Sequence, residues 1–399
     1  MGRTIDHLRR ADWLTAERVR GYSIILGIAS LALLANSFAK AMGPEGTDFL
    51  AFWGAGRAAL TMEPAAAYDL AVQREIQTAT GSEGWFAFVN PPPFLFLAIP
   101  FAMLPFPLAW VAWVAATFSL WSWAGIRAFP RYWPLVLVFP GALLAAGHAQ
   151  TGLLTGALLV GGVTLVARDR PWLGGALLGT LVIKPHLALL VPFWLAGGAN
   201  WKAFASALFS ALGLLALSLL IFGYDAMIAY TGSWQASAAL MESDVADFYL
   251  RMATPYSQLR LAMAADLALY IQLALTAAAL AIAFLAYRRM GGDWLASGAL
   301  MLAATALASP YLFNYDLPFL ILPTLWLVAQ GRAHGFRDWE KLAVVLLFFA
   351  PYATRAAALP LGINLMPLAS IVLVWLIWTR GEGVSSRHTR RQTATRGNR

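Results

Sequence analysis

The chain has 399 residues, is 60% hydrophobic, and carries 28 Lys and Arg against 20 Asp and Glu. A soluble domain would be about 25% charged, and this chain is 12% charged. A single soluble core also stops growing near roughly 250–300 residues, so water would leave many of these apolar side chains without an interior. An ordinary soluble enzyme is excluded, and lipid is the solvent the composition fits.

The net charge of +8 is concentrated at the ends, with five Arg against three acids in residues 1–20 and six Arg against one acid in residues 380–399. Short basic ends beside apolar spans read as membrane anchors. Nucleic acid would need a basic recognition face, so no nucleic-acid partner is expected. With no Cys, disulfides, thiolate zinc sites and thiol catalysis are excluded.

The first apolar run, Tyr22 to Met42, follows a basic segment, residues 1–21. Ala39-Lys40-Ala41 loosely mimics a signal-peptidase site, but the Lys and the length of the run favour an uncleaved first helix. Residues 43–91 are far longer than a typical connection. Within them Phe49, Phe52, Trp53, Gly56 and Leu60 fall at helical spacing, with Thr47 or Asp48 as N-cap. Ala65 to Gln77 is expected as a second helix in the membrane interface. Asn90-Pro91-Pro92-Pro93 then stops any helix.

Further apolar runs lie near 92–106, 108–126, 132–147, 151–167, 172–197, 203–222, 267–287, 294–308, 315–330, 342–354 and 363–379. These predict an all-α integral membrane protein with about 11–13 spans over residues 22–379. The segments 92–106 and 172–197 each read as one pass, a broken helix or a re-entrant segment. Gly152/Gly156 and Gly175/Gly179 have the spacing that lets helices approach closely. Residues 380–399 are expected as a basic, disordered cytoplasmic tail.

Charge between the runs predicts orientation. Arg127, Arg131, Arg168, Arg170, Lys202, Arg288, Arg289, Arg332, Arg337 and Lys341 sit in short linkers, whereas most internal acids sit in 43–91 and 223–266. Positive-inside logic puts the linkers and both termini in the cytoplasm and the two acidic loops outside.

Asp48 suits an N-cap, and it also suits a general base whose pKa rises as it loses hydration beside lipid and aromatic surface. Lys184 lies inside an apolar run, where a Lys costs roughly 2.5–3.5 kcal/mol. It either snorkels or, with His186, holds an anionic lipid phosphate. If it holds phosphate, Lys184→Met should weaken donor binding more than stability. His148 and Gln150 form a polar turn able to hydrogen-bond a sugar. Asn314 and Asp316 follow Ser309-Pro310, and Tyr256 and Arg260 lie in the second acidic loop. The five His residues show no metal-ligand spacing, and no nucleotide-binding glycine pattern or serine elbow occurs. No metal or bound cofactor is expected.

The order of these features resembles glycosyltransferase family 87, the polyprenol-phosphate-mannose-dependent mannosyltransferases of the GT-C membrane fold. The carriers are Asp48-Phe49 with Ala51-Phe52-Trp53, Ala67-Tyr68, Pro91-Pro92, the Gly147–Gln150 turn, Lys184-Pro185 and Ser309-Pro310. Asn90 stands where the family's pattern is usually aromatic, His148 takes the second place of a turn closer to Gly-Gln-x-Asn, and Asn314-Tyr315-Asp316 fill a segment that often carries a His.

The resemblance implies a GT-C helix bundle and an inverting transfer of a hexose from a polyprenyl-phosphate sugar to a lipid or glycan acceptor at the outer face. Asp48 would be the base; Lys184, His186 and Arg260 would bind donor phosphate. Asn90, His148, Gln150, Tyr256, Asn314 and Asp316 would contact sugar or acceptor. A transporter or lipid flippase is the alternative reading. It would predict internal repeats with paired broken helices, and the two halves show no clear repeat.

Overall fold

The structure is a computed structural model that describes residues 2–242 and 246–396, with side chains over 5–233 and 246–381. It is helical throughout, and among the described residues the only strand-like pairing is one antiparallel bridge, Met252 to Phe313. Five helices are long and apolar enough to cross a membrane: Ala16–Ala41, Phe106–Ala128, Trp201–Ser233, Ala265–Arg289 and Glu340–Leu361. The 26 residues of Ala16–Ala41 extend about 39 Å at 1.5 Å per residue. Six shorter apolar helices accompany them: Pro92–Ala102, Gly152–Ala167, Pro171–Ile183, Pro185–Gly197, Trp294–Ala308 and Met366–Gly381.

The short helices end where the sequence withdraws a backbone donor. Pro185 disfavours α geometry at the residue before it, and Lys184 is extended (φ −152°, ψ 72°) between two 3-10 turns, Thr180–Ile183 and Pro185–Ala188. The run 172–197 is therefore a broken helix. The run 92–106 stops at Ala102, and a new helix begins at Phe106.

Burial follows packing rather than polarity. Gly152–Ala167 and Trp294–Ala308 are buried along almost their whole length, whereas Ile24, Ile28 and Leu31 of the first long helix and Leu220 of another are exposed to the lipid side. Both glycine pairs stand at close approaches. A Cβ on Gly152 would meet the carbonyl of Tyr315, and Cβ atoms on Gly175 and Gly179 would meet those of Ala203 and Ala207. Small residues let backbones pack this closely where lipid gives helices no hydrophobic reason to associate.

Among their described residues, both acidic loops carry helix. The first contains the expected helix, Phe49–Thr61. Its second helix differs from expectation: a 3-10 turn, Pro64–Tyr68, is separated from Leu70–Thr78 by Asp69, whose carboxylate caps the amides of Ala71 and Val72. Gln73 and Gln77 of that helix are buried against Gly54. The run ending near 222 continues as helix past a kink at Gly223 (φ 80°, ψ 169°), so that Tyr230 packs on Tyr68, ring centres 5.9 Å apart. Residues 243–245 and 397–399 lie outside the described residues, as do the side chains of 234–242 and 382–396; in the basic tail, where disorder is expected, the backbone continues the helix Met366–Arg396.

The ends of the bundle differ chemically. At one end Arg9 pairs with Asp338 (2.5 Å), Lys341 with Asp12 (3.5 Å) and Arg380 with Glu340, and Arg337 reaches Thr379 (3.0 Å). At the other, Thr47 donates to the carbonyl of His148 (3.1 Å) and Thr254 to that of Pro310 (3.1 Å). Helix Ala16–Ala41 runs between these ends, and basic linkers collect at one while both acidic loops collect at the other.

Replacing Gly179 by Val should force the Trp201 helix away and cost about 1–3 kcal/mol, the usual scale of overpacking, read as a lower Tm in detergent. Gly213 has open space around it, and Gly213→Ala should leave Tm unchanged or slightly higher.

Candidate active site

Asp48 stands at the start of Phe49–Thr61 but does not cap it. A capping side chain needs extended backbone at the N-cap, and Asp48 is already helical (φ −53°, ψ −25°), with no side-chain cap bond. The capping expectation is thereby corrected, and the capping alternative, Thr47, points its hydroxyl at His148 instead. The Asp48 carboxylate faces His148 Nδ1 at 3.6 Å, with 22% of its side chain exposed. His148 is presented by a tight turn in which Ala149 takes a left-handed conformation (φ 47°) and Gln150 N–H closes back on the Ala145 carbonyl (3.1 Å). Gln150 turns its amide oxygen onto the N–H of Thr151 (3.2 Å).

Lys184, released by the break in its helix, points inward. Its ammonium pairs with Asp316 Oδ1, donates to Thr151 Oγ1 (3.1 Å) and lies 5.9 Å from the ring centre of Tyr315. It therefore does not snorkel. Asp316 is fully buried, and its second oxygen accepts from the Phe313 N–H (3.1 Å). The carboxylate expected against sugar or acceptor is thus the counter-ion of the Lys expected against phosphate. His186 stacks edge-on to Tyr311 at 6.0 Å, and its Nε2 is buried without a hydrogen-bond partner among the described residues.

The remaining candidates divide. Asn90 donates to the carbonyl of Ile183 (3.4 Å) and receives the Tyr68 hydroxyl on its own carbonyl (2.9 Å). Burial, with the neighbouring Tyr230, raises the Tyr68 phenol well above its usual pKa, so it stays a donor. Asn90 thus ties the first loop to the backbone beside Lys184. Asn314 is buried and fully engaged, donating to the Pro351 carbonyl (2.8 Å) and Thr354 Oγ1 (2.9 Å) and accepting from Asn364 (2.8 Å). Tyr256 packs in a small satellite cluster with Tyr249, Met252 and Phe313, its N–H bonded to Gln272 Oε1 (3.0 Å). Arg260 bonds the Met263 carbonyl (3.3 Å) and lies over Tyr249 at 5.4 Å.

Two residues outside the candidate set, Tyr315 and Arg355, complete the arrangement. Tyr315 sits between the halves of the site, 5.5 Å from the His148 ring and beneath Lys184. Arg355 lies in the electrostatic reach of Asp48, Tyr315, Asp247 and Arg251. A signal was present in the sequence: Arg355 lies in the apolar helix Glu340–Leu361 well past the Lys341 at its start, and a cation among apolar residues carries the cost that singled out Lys184.

A bundle of long and broken apolar helices that gathers carboxylates, Lys184 and Arg355 at one end defines a polytopic membrane protein with a polar site. Residues 88–310, more than half of the chain, match Glycosyltransferase family 87, and the chain belongs to that family. It is a membrane glycosyltransferase. The matched segment includes Asn90, His148, Lys184 and Ser309, whereas Asp48 precedes it and Asp316 and Arg355 follow it. No curated protein and no solved structure matches the chain.

The ion pair with Asp316 gives Lys184 a structural role as well. Lys184→Met should strand the buried Asp316 carboxylate and cost about 3–5 kcal/mol, the scale for breaking a buried pair. Adding Asp316→Asn should recover most of that loss in denaturation of the purified protein. Equal stability of Lys184→Met and the parent would show that the pair contributes nothing.

Proposed function

We propose that this glycosyltransferase moves a hexose, mannose-like, from a polyprenyl-phosphate sugar to a lipid or glycan acceptor at the outer face of the membrane, with inversion. The carboxylate of Asp48 removes the acceptor hydroxyl proton. That oxygen bonds to the anomeric carbon as the bond from this carbon to the phosphate oxygen breaks, and the electron pair leaves with polyprenyl phosphate. The observation that carries this reading is the Asp48 carboxylate, unused by its own helix and turned toward His148 at the same end as the break at Lys184. His148 orients the base, as a hydrogen-bonding partner orients a catalytic group.

Preorganised cations stabilise charge developing on a leaving group. Lys184 has three N–H groups, and Asp316 and Thr151 account for two, so its third serves the phosphate, with His186 beside it. Asp316 then acts as a positioning residue that holds Lys184. Arg355 offers a second cation in addition to Arg260, since it follows Thr354, which accepts from Asn314 next to Tyr315 (2.9 Å). Asn90 and Asn314 hold the loops around the site, while His148, Gln150 and Tyr256 line the acceptor and sugar side.

Asp48→Asn removes the base and leaves the helix start unchanged, since no capping bond is lost. Transfer, followed as release of free polyprenyl phosphate from polyprenyl-phosphate hexoses, should fall by roughly 10²–10⁴-fold, the range general-base catalysis supplies, with donor binding retained. Near-parental transfer would place the base elsewhere.

The sidedness rests on the basic linkers and acidic loops occupying opposite ends. Because the chain has no native Cys, single-Cys labelling reads it directly. Ala79 and His334 are exposed. Ala79→Cys should react with an impermeant reagent only from outside, and His334→Cys only from the cytoplasm. The opposite pattern would invert the orientation.

A further inference from the structure

An apolar cavity away from Asp48 lies at the basic end of the bundle. It measures about 520 Å³ and opens between the first half of helix Ala16–Ala41, the segment 130–137 and the helices Ile321–His334 and Glu340–Leu361. The first long helix stands off the bundle there, with only 11% of its apolar window buried. Val19, Leu26, Leu135, Val344 and Phe348 form the walls, and the volume lies in the range of a site for a small organic body.

Four cations, Arg20, Arg131, Arg332 and Lys341, line the same cavity, and no acid does. Lys341 has Asp12 as a counter-ion. Arg20, Arg131 and Arg332 have no ion-pair partner among the described residues, and all three are exposed. Three unpaired guanidinium groups around an apolar cleft match a ligand with an anionic head and a hydrocarbon tail. Arg presents a planar fork of donors suited to phosphate oxygens, and basic pockets between membrane helices are a recognised setting for anionic headgroups.

We infer that this cavity binds an anionic phospholipid of the surrounding leaflet, one acyl chain filling the cleft and its phosphate held by Arg20, Arg131 and Arg332. The inference does not depend on the transfer reaction. A free phosphate would leave the apolar cleft unfilled, and a neutral lipid would leave the three Arg residues unmatched.

The test titrates the purified full-length chain in detergent with phosphatidylglycerol or phosphatidylcholine of the same acyl chains, reading bound lipid by native mass spectrometry. Phosphatidylglycerol should bind more tightly. The combined substitution Arg20→Gln, Arg131→Gln and Arg332→Gln should weaken it roughly a hundredfold, from about 1 kcal/mol per basic residue near an anionic lipid, without changing phosphatidylcholine binding. The combined substitution Arg170→Gln, Lys202→Gln and Arg288→Gln removes as many charges outside the cavity and should leave the preference intact. Val344→Trp keeps every charge but fills the cleft; it should also displace phosphatidylglycerol, which decides the matter if the triple Arg variant fails to insert. Equal affinity of the parent for the two lipids, or unchanged binding in the triple Arg variant, would overturn the inference. So would displacement by inorganic phosphate, which would indicate a simple anion site, or one-for-one displacement by polyprenyl phosphate, which would make the cleft a donor-tail site.

Discussion

An ammonium group inside an apolar bundle must find an anion, and Lys184 finds Asp316. The pair joins segments 132 residues apart in sequence and explains why two helices are broken where they are. Pro185 opens the first, leaving Lys184 extended enough to reach inward. The stretch from Ser309 opens the second, so that Asp316 can turn its carboxylate back onto Phe313 N–H and toward Lys184. Irregular backbone at membrane depth is tolerated only when the protein itself satisfies the freed polar groups. Thr151, at the start of the buried helix Gly152–Ala167, supplies the third corner of the arrangement.

That buried helix shows how packing is specified without polarity. Lipid is as apolar as the side chains it would replace, so hydrophobicity cannot sort inner helices from outer ones. Glycine does the sorting. Gly152 and Gly156 admit the 314–320 turn, which brings Tyr315 and Asp316 beside the His148 turn and Lys184; Gly175 and Gly179 admit the long helix from Trp201. The close approaches and the polar site are therefore one construction.

The first loop is built to hold a carboxylate in place. Gly46 takes a left-handed conformation, Thr47 is tied to the His148 carbonyl, and the chain enters the helix at Asp48 with its side chain left over. Tyr68 and Asn90 anchor the far end of the same loop to the backbone at Ile183. These ties hold both ends of the loop against the bundle, and the proposed role of Asp48 as base calls for a carboxylate fixed in this way.

The sequence by itself determined that the chain lives in lipid, that its apolar runs are helical, and that Asp48, His148 and Lys184 stand at polar breaks; it did not place every helix end, since the run expected to stop near 222 continues past Gly223. These follow from local rules: run length, proline, and the cost of a charge among apolar residues. Arg355 directly follows the apolar run 342–354, and at the end of such a run a cation is indistinguishable from an ordinary interfacial residue. Only the tertiary structure decided who meets whom. Asp316 and Lys184, both expected to touch substrate, meet each other; Asp48 faces His148 instead of its own helix; and Asn314 spends its amide on Pro351, Thr354 and Asn364. The physical reason is that a buried polar group is satisfied by whatever the fold brings within hydrogen-bond distance. Those partners come from distant segments, which no local spacing in the chain encodes.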